Sequence, residues 1–156
     1  MDKTTLSFHL SILLIIAGCS GAPKPYVKKG CYALEGANPT QVQSFALAYD
    51  EHGKVDVKNT KTLEFCELPV SSVRNLRAMS IPGFVYVDAQ GELPHVGIYD
   101  LRDCTPTWTS AGSKGTWVLD KLQVRIQSPE KGCGVRTYEF GNSCIPETSS
   151  VCTGEE

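Results

Sequence analysis

The chain has 156 residues, with 15 basic and 17 acidic side chains and a formal net charge of −2. Charges of both signs are interspersed, without the basic face that nucleic acid requires, so nucleic acid is not an expected partner. At 41% hydrophobic residues the chain is long enough for one domain with its own apolar core.

At the N-terminus, Asp2 and Lys3 form a short polar start, Leu6 to Ile16 is mostly apolar, and Ala17 and Gly18 lead to Cys19. A polar start, an apolar middle and a small-residue exit make residues 1–18 a secretory signal peptide. The apolar run falls well short of the roughly 20 residues that a helix needs to cross a bilayer, so it is not read as a spanning anchor. Ile16-Ala17-Gly18-Cys19 resembles the lipobox of bacterial lipoproteins: an aliphatic residue, two small residues, then cysteine. The resemblance implies a diacylglyceryl group on the Cys19 thiol, cleavage before Cys19 and acylation of the new amino group. With the non-acidic Ser20 following, it also implies sorting to the outer membrane. Two or more acyl chains hold a protein firmly where one holds it only marginally. The competing reading is an ordinary secreted protein cut after Ala22. Residues 19–30 read as a tether, stiffened by Pro23 and Pro25. Lys24, Lys28 and Lys29 lie in or next to it and read as solvated rather than as a headgroup site.

From Cys31 to the end, residues 31–156, alternation with period two dominates. Phe45, Leu47 and Tyr49 alternate with Ser44, Ala46 and Ala48; Val55 and Val57 resume after a turn; Leu63 and Phe65 mark a short strand. Phe84 to Asp88 is β-rich, and an extended stretch runs through Val96, Ile98 and Tyr99. Leu122, Val124 and Ile126 alternate with polar neighbours, and Val135 to Phe140 is the last clear strand. Strands bounded by Gly, Pro and Asp predict a mainly β fold: a single antiparallel β-sandwich or barrel-like domain. One short helix is expected at about residues 71–80, capped by Ser71 or Ser72, carrying Val73, Leu76 and Met79, and stopped by Pro82. Tyr49 to Val55 and Val87 to Leu93 share one form, an Asp followed three residues later by Gly. Both are expected to be hairpin turns, with Asp opening the turn and Gly supplying left-handed backbone. A calcium loop at Asp50 or Asp88 would need a denser set of carboxylates.

Seven cysteines are present. Cys19 leaves the count at the processing site, and Cys31, Cys66, Cys104, Cys133, Cys144 and Cys152 remain. An even remainder suits an oxidised, exported domain. No Cys-x-x-Cys pair offers two thiolates to a metal, so the six are read as disulfides, with no metal and no cofactor expected. Six cysteines allow 15 connectivities; the one pair expected is Cys144 with Cys152.

Two histidines follow the leader. His52 belongs to a turn. His95 is the candidate general base, if the fold brings it to Asp100 or Asp103. Trp117 is assigned to the core. Trp108 and Lys114 mark a candidate binding loop over residues 105–115, which lacks the order of a phosphate-binding loop. The function expected is that of a bacterial envelope lipoprotein, non-enzymatic, acting by binding or in an assembly. Its expected partners are the membrane, through the lipid, and an envelope protein. The alternatives are a secreted or periplasmic hydrolase with a site near His95, and a small secreted inhibitor using the 105–115 loop.

Overall fold

The computed structural model describes residues 29–36 and 40–153; the leader, Cys19 and residues 20–28 of the tether lie outside the described residues. The described residues form twelve strands: β1 (Gln41–Val42), β2 (Phe45–Tyr49), β3 (Val55–Asn59), β4 (Phe65–Glu67), β5 (Val73–Ala78), β6 (Phe84–Ala89), β7 (His95–Asp100), β8 (Thr105–Ala111), β9 (Ser113–Val118), β10 (Gln123–Gln127), β11 (Val135–Phe140) and β12 (Pro146–Thr153). A single 3-10 turn, Leu119–Lys121, joins β9 to β10.

The strands make three antiparallel sheets of four, and each sheet is a meander of consecutive strands: β1 to β4, β5 to β8, and β9 to β12. The fold is therefore mainly β and antiparallel, as expected, but it has one sheet more than a single sandwich. Period two explains the layering. In β6, Val85, Val87 and Ala89 point to one core with Leu47, Val55 and Val57 of the first sheet and with Leu68, just past its last strand. Tyr86, on the opposite face, joins a second core with Val124, Ile126 and Phe140 of the third sheet. The β5–β8 sheet is thus covered on both faces. That is why the Phe84–Ala89 run lacks the polar alternation of a half-exposed strand.

Residues 71–80 are not helical. Val73–Ala78 is the edge strand β5, with a bulge between Val73 and Asn75. Val73, Leu76 and Ala78 all pack on the first core, whereas Met79 belongs to the second. The bulge adds a residue to the strand and stretches the apolar spacing from two to three. That spacing imitates one face of a helix.

The 105–115 segment is not a loop either. It is all of β8 and the start of β9, two strands in different sheets joined at Gly112. The chain changes sheet there with a φ of 134°, and a Cβ at this position would overlap the Gln127 carbonyl oxygen. Only glycine takes that backbone without strain. Gly112→Ala is expected to cost about 1–3 kcal/mol in urea unfolding; an unchanged midpoint would show that the corner is not required. Pro106 sits in β8, which is tolerated because β8 is an edge strand.

Three disulfides brace the fold: Cys31–Cys144, Cys66–Cys104 and Cys133–Cys152. The expected Cys144–Cys152 pair is not formed. Cys144 precedes β12 and Cys152 is near its far end, so about seven extended residues, roughly 23 Å, hold them apart.

Candidate functional site

His95 opens β7, in register with Ala89 and Ala111. Its Nδ1 lies 3.2 Å from the Leu93 carbonyl oxygen and its Nε2 lies 3.0 Å from the Tyr99 hydroxyl. A carbonyl can only accept, so Nδ1 carries the proton, and Nε2 accepts the Tyr99 O–H. Gly97, between them on the same face, makes this possible: a Cβ there would stand 2.8 Å from the Tyr99 ring. The expected pairing of His95 with Asp100 or Asp103 does not occur. Asp100 ends the strand that His95 begins, about 16 Å away at a strand's rise per residue. It accepts from Arg102 Nε at 2.8 and 3.0 Å, and Asp103 accepts from the Thr105 amide at 3.0 Å. Asp100 is held below the usual carboxylate range, first by that Arg102 side-chain hydrogen bond.

Around His95 runs an open groove lined by Glu67, Ser71, Ser72, Glu92 and Leu93. Lys54 Nζ pairs with Glu67 at 3.1 Å across its side. The imidazole contributes a wall to this groove, but its lone pair is turned to Tyr99.

Tyr99 is buried, and burial pushes its hydroxyl up to about 12 from an ordinary 10.0. Tyr86 is shifted the same way, chiefly by burial and then by the neighbouring Asp88 charge. The folded state therefore favours the protonated phenols. Their contribution is fully present below pH 10 and is lost as the pH rises from 10 toward 12 and beyond. Urea midpoints are expected to fall between pH 9.5 and 11.5, and Tyr99→Phe is expected to flatten that fall. An equal fall in the variant would remove Tyr99 from the account.

Trp108 and Trp117 are half-buried and pack on the second core. Trp108 meets Tyr138 at 4.8 Å and Phe140 at 5.3 Å between ring centroids. Trp117 meets Phe140 at 5.2 Å. Lys114 is exposed on β9. Trp108 and Lys114 are thus on successive strands, not on one mobile loop.

The two Asp-to-Gly segments behave differently. Asp50 opens a hairpin turn as expected: its Oδ1 accepts the His52 and Lys54 amides, each at 2.8 Å. These bonds, that from Lys54 first, hold its carboxyl below the usual range. Asp88 is no turn residue. It lies within β6, fully buried between the second and third sheets. Oδ2 takes the Arg74 guanidinium and the Gly115 amide, the latter at 3.3 Å, and Oδ1 takes Gln90 Nε2 at 2.9 Å. This buried carboxylate, paired with the exposed Arg74, is the site feature that sequence reading missed. Its signal is a single acidic residue inside an otherwise apolar strand run, which a hairpin turn does not explain.

Glu130, Cys133 and Cys152 gather within 4.8 Å. Both sulfurs are bonded to each other and Glu130 pairs with Arg136, so no thiolate is offered to a metal there. No protein-family model matches the chain, and no curated protein matches it.

Proposed function

We propose that the chain is an exported bacterial envelope lipoprotein, held on the outer membrane through Cys19, whose disulfide-braced β domain works by binding rather than catalysis. The observation that carries export is the pairing of all six cysteines beyond Cys19 into three disulfides, chemistry that belongs to oxidising compartments. Ile16-Ala17-Gly18-Cys19 supports the lipid anchor. His95 supports binding over hydrolysis, because both its ring nitrogens are engaged, by Leu93 and Tyr99. An envelope protein is the partner this reading calls for, in addition to the membrane.

Labelling with radioactive palmitate tests the anchor. Wild type incorporates label and Cys19→Ala does not. Equal labelling of both, or none in either, would overturn lipidation. A free-thiol count tests export separately: the purified oxidised protein should show no titratable thiol among its six domain cysteines.

A further inference from the structure

The N-terminal chain enters the domain at one end of the second sheet. The Ser80 hydroxyl donates to the Gly30 carbonyl oxygen at 2.6 Å, and the Ser80 amide donates to the Tyr32 carbonyl oxygen at 2.8 Å. The chain from Cys19 to Gly30 spans at most about 40 Å when fully extended. An acyl group on Cys19 therefore keeps this end of the domain close to a bilayer. Ser80 leads directly into the β5–β6 turn, Ile81-Pro82-Gly83, which forms one wall of an open cleft of about 480 Å³. Lys61 and Thr62 of the β3–β4 loop line it too, with Phe84 and Arg102. The turn is fixed at both ends: the Met79 amide donates to the Phe84 carbonyl at 3.1 Å, and the Leu101 amide to the Gly83 carbonyl at 2.8 Å. It presents Pro82 exposed, with Ile81 and Phe84 half-buried.

The charge of the cleft has one sign. Lys61 and Arg102 line it, and among the described residues no carboxylate does. Lys61 is exposed and makes no ion pair with any described residue. Arg102 is shared: Asp100 takes its Nε and Nη2, which leaves Nη1 to donate elsewhere. Its guanidinium stands over the Phe84 ring, 5.7 Å from the centroid. Glu64, two residues past Thr62, accepts the Thr62 hydroxyl at 2.8 Å. Cations beside exposed and half-buried apolar side chains suit an anionic lipid surface. Headgroup phosphates meet the cations, and the apolar groups enter the interface. A dissolved anion would use the cations alone and leave Ile81, Pro82 and Phe84 without a role. The face is small, and the anchor supplies what it lacks. Tethering makes docking an intramolecular step, so a weak contact suffices.

We propose that the cleft between the β3–β4 loop and the β5–β6 turn is a docking face for an anionic lipid bilayer, with Lys61 and Arg102 on headgroup phosphates and Pro82 at the interface. The proposal rests on the reading of Cys19 as a lipid anchor: the anchor holds the domain at the bilayer, and the face sets which end turns toward it.

Pro82→Trp is the reporter, read in the purified oxidised protein on two kinds of vesicle: phosphatidylcholine alone, and equal parts of phosphatidylcholine and phosphatidylglycerol. Both carry acyl-brominated lipid as quencher. Co-sedimentation with the phosphatidylcholine vesicles reads the anchor, and quenching of the new tryptophan reads the face. Wild type, with its two native tryptophans, gives the background. Quenching should be strong on the anionic vesicles, weak on the others, and reduced by salt. Lys61→Gln should lower the docked-to-undocked ratio about fivefold, the effect of one basic residue at an anionic surface, and Lys61→Arg should restore it. Lys61→Gln should also keep the wild-type urea midpoint, because that side chain holds no described partner. Thr62→Trp, on the other wall, repeats the reading if Pro82→Trp does not fold. Protein that sediments with both vesicles but is not quenched on the anionic ones, equal quenching on both, or Lys61→Gln indistinguishable from wild type would overturn the face. An emission change with inorganic phosphate alone would make it a site for a dissolved anion. A change that grows with protein concentration without lipid would make it a contact between copies. Either result overturns the membrane reading. Protein that does not sediment with phosphatidylcholine has lost the anchor. Salt-sensitive quenching on anionic vesicles would then still support the face, and its absence would remove both.

Discussion

Replacing Cys31 and Cys144 together by alanine is expected to lower the free energy of unfolding by about 5 kcal/mol, the largest loss among the three disulfides. The cross-link spans 113 residues of sequence, against 38 for Cys66–Cys104 and 19 for Cys133–Cys152. A cross-link acts mainly on the unfolded chain, and the entropy it removes grows with the logarithm of the loop it closes. The same relation gives about 4 and about 3 kcal/mol for the shorter two. Native packing adds to the difference. Both Cys31 and Cys144 are buried in the second core, so alanine also removes core volume there. Apart from this bond, the segment around Cys31 is held by a few hydrogen bonds: the Cys31 amide to the Gly141 carbonyl at 3.0 Å, the Leu34 amide to Ala78 at 2.8 Å, and contacts to Ser80. Urea unfolding of the three paired-alanine variants checks the ranking. A Cys133/Cys152 variant less stable than the Cys31/Cys144 variant would show that native strain or packing, rather than loop length, sets the order.

The fold class is legible in the chain because period two is a local signal. Phe45 to Tyr49, Val55 to Val57 and Leu122 to Ile126 each show which residues face inward before any partner is known. The Asp50 turn is legible for the same reason: its hydrogen bonds reach only to residues 52 and 54. What fails to show is set by contacts distant in sequence. The bulge in β5 exists only against β6, so residues 71–80 read as a helix until that partner is present. Gly112 looks like loop punctuation, yet it marks a change of sheet that depends on where Gln127 lies. Pairing of Cys31 with Cys144 depends on β11 and β12 returning past the segment around Cys31. The candidate site divides in the same way. His95 can be found by residue type, but its real partners, Tyr99 and the Leu93 carbonyl, depend on Gly97 leaving room for a ring. Asp88 reads as a turn residue because its sequence neighbours match those of Asp50. Only the third sheet, arriving over it with Gly115, makes it a buried charge.

Arg74→Met is the sharpest test of that buried charge. It is expected to cost about 3–4 kcal/mol, within the range for breaking a buried pair by removing one partner. Asp88 is fully buried while the Arg74 side chain keeps 41% of its exposure, so water offsets part of the loss and the lower half of the range applies. Asp88→Leu removes the charge itself and leaves Arg74 free to turn to solvent, so it should cost less than Arg74→Met. Combining the two should recover stability relative to Arg74→Met alone, because a seam without either charge needs neither. A double-mutant cycle in urea reads the coupling. Additive costs would mean that the pair contributes nothing beyond its separate packing. A neutral Arg74→Met would carry a different message: Arg77, on the same strand, has turned to Asp88 in place of Arg74.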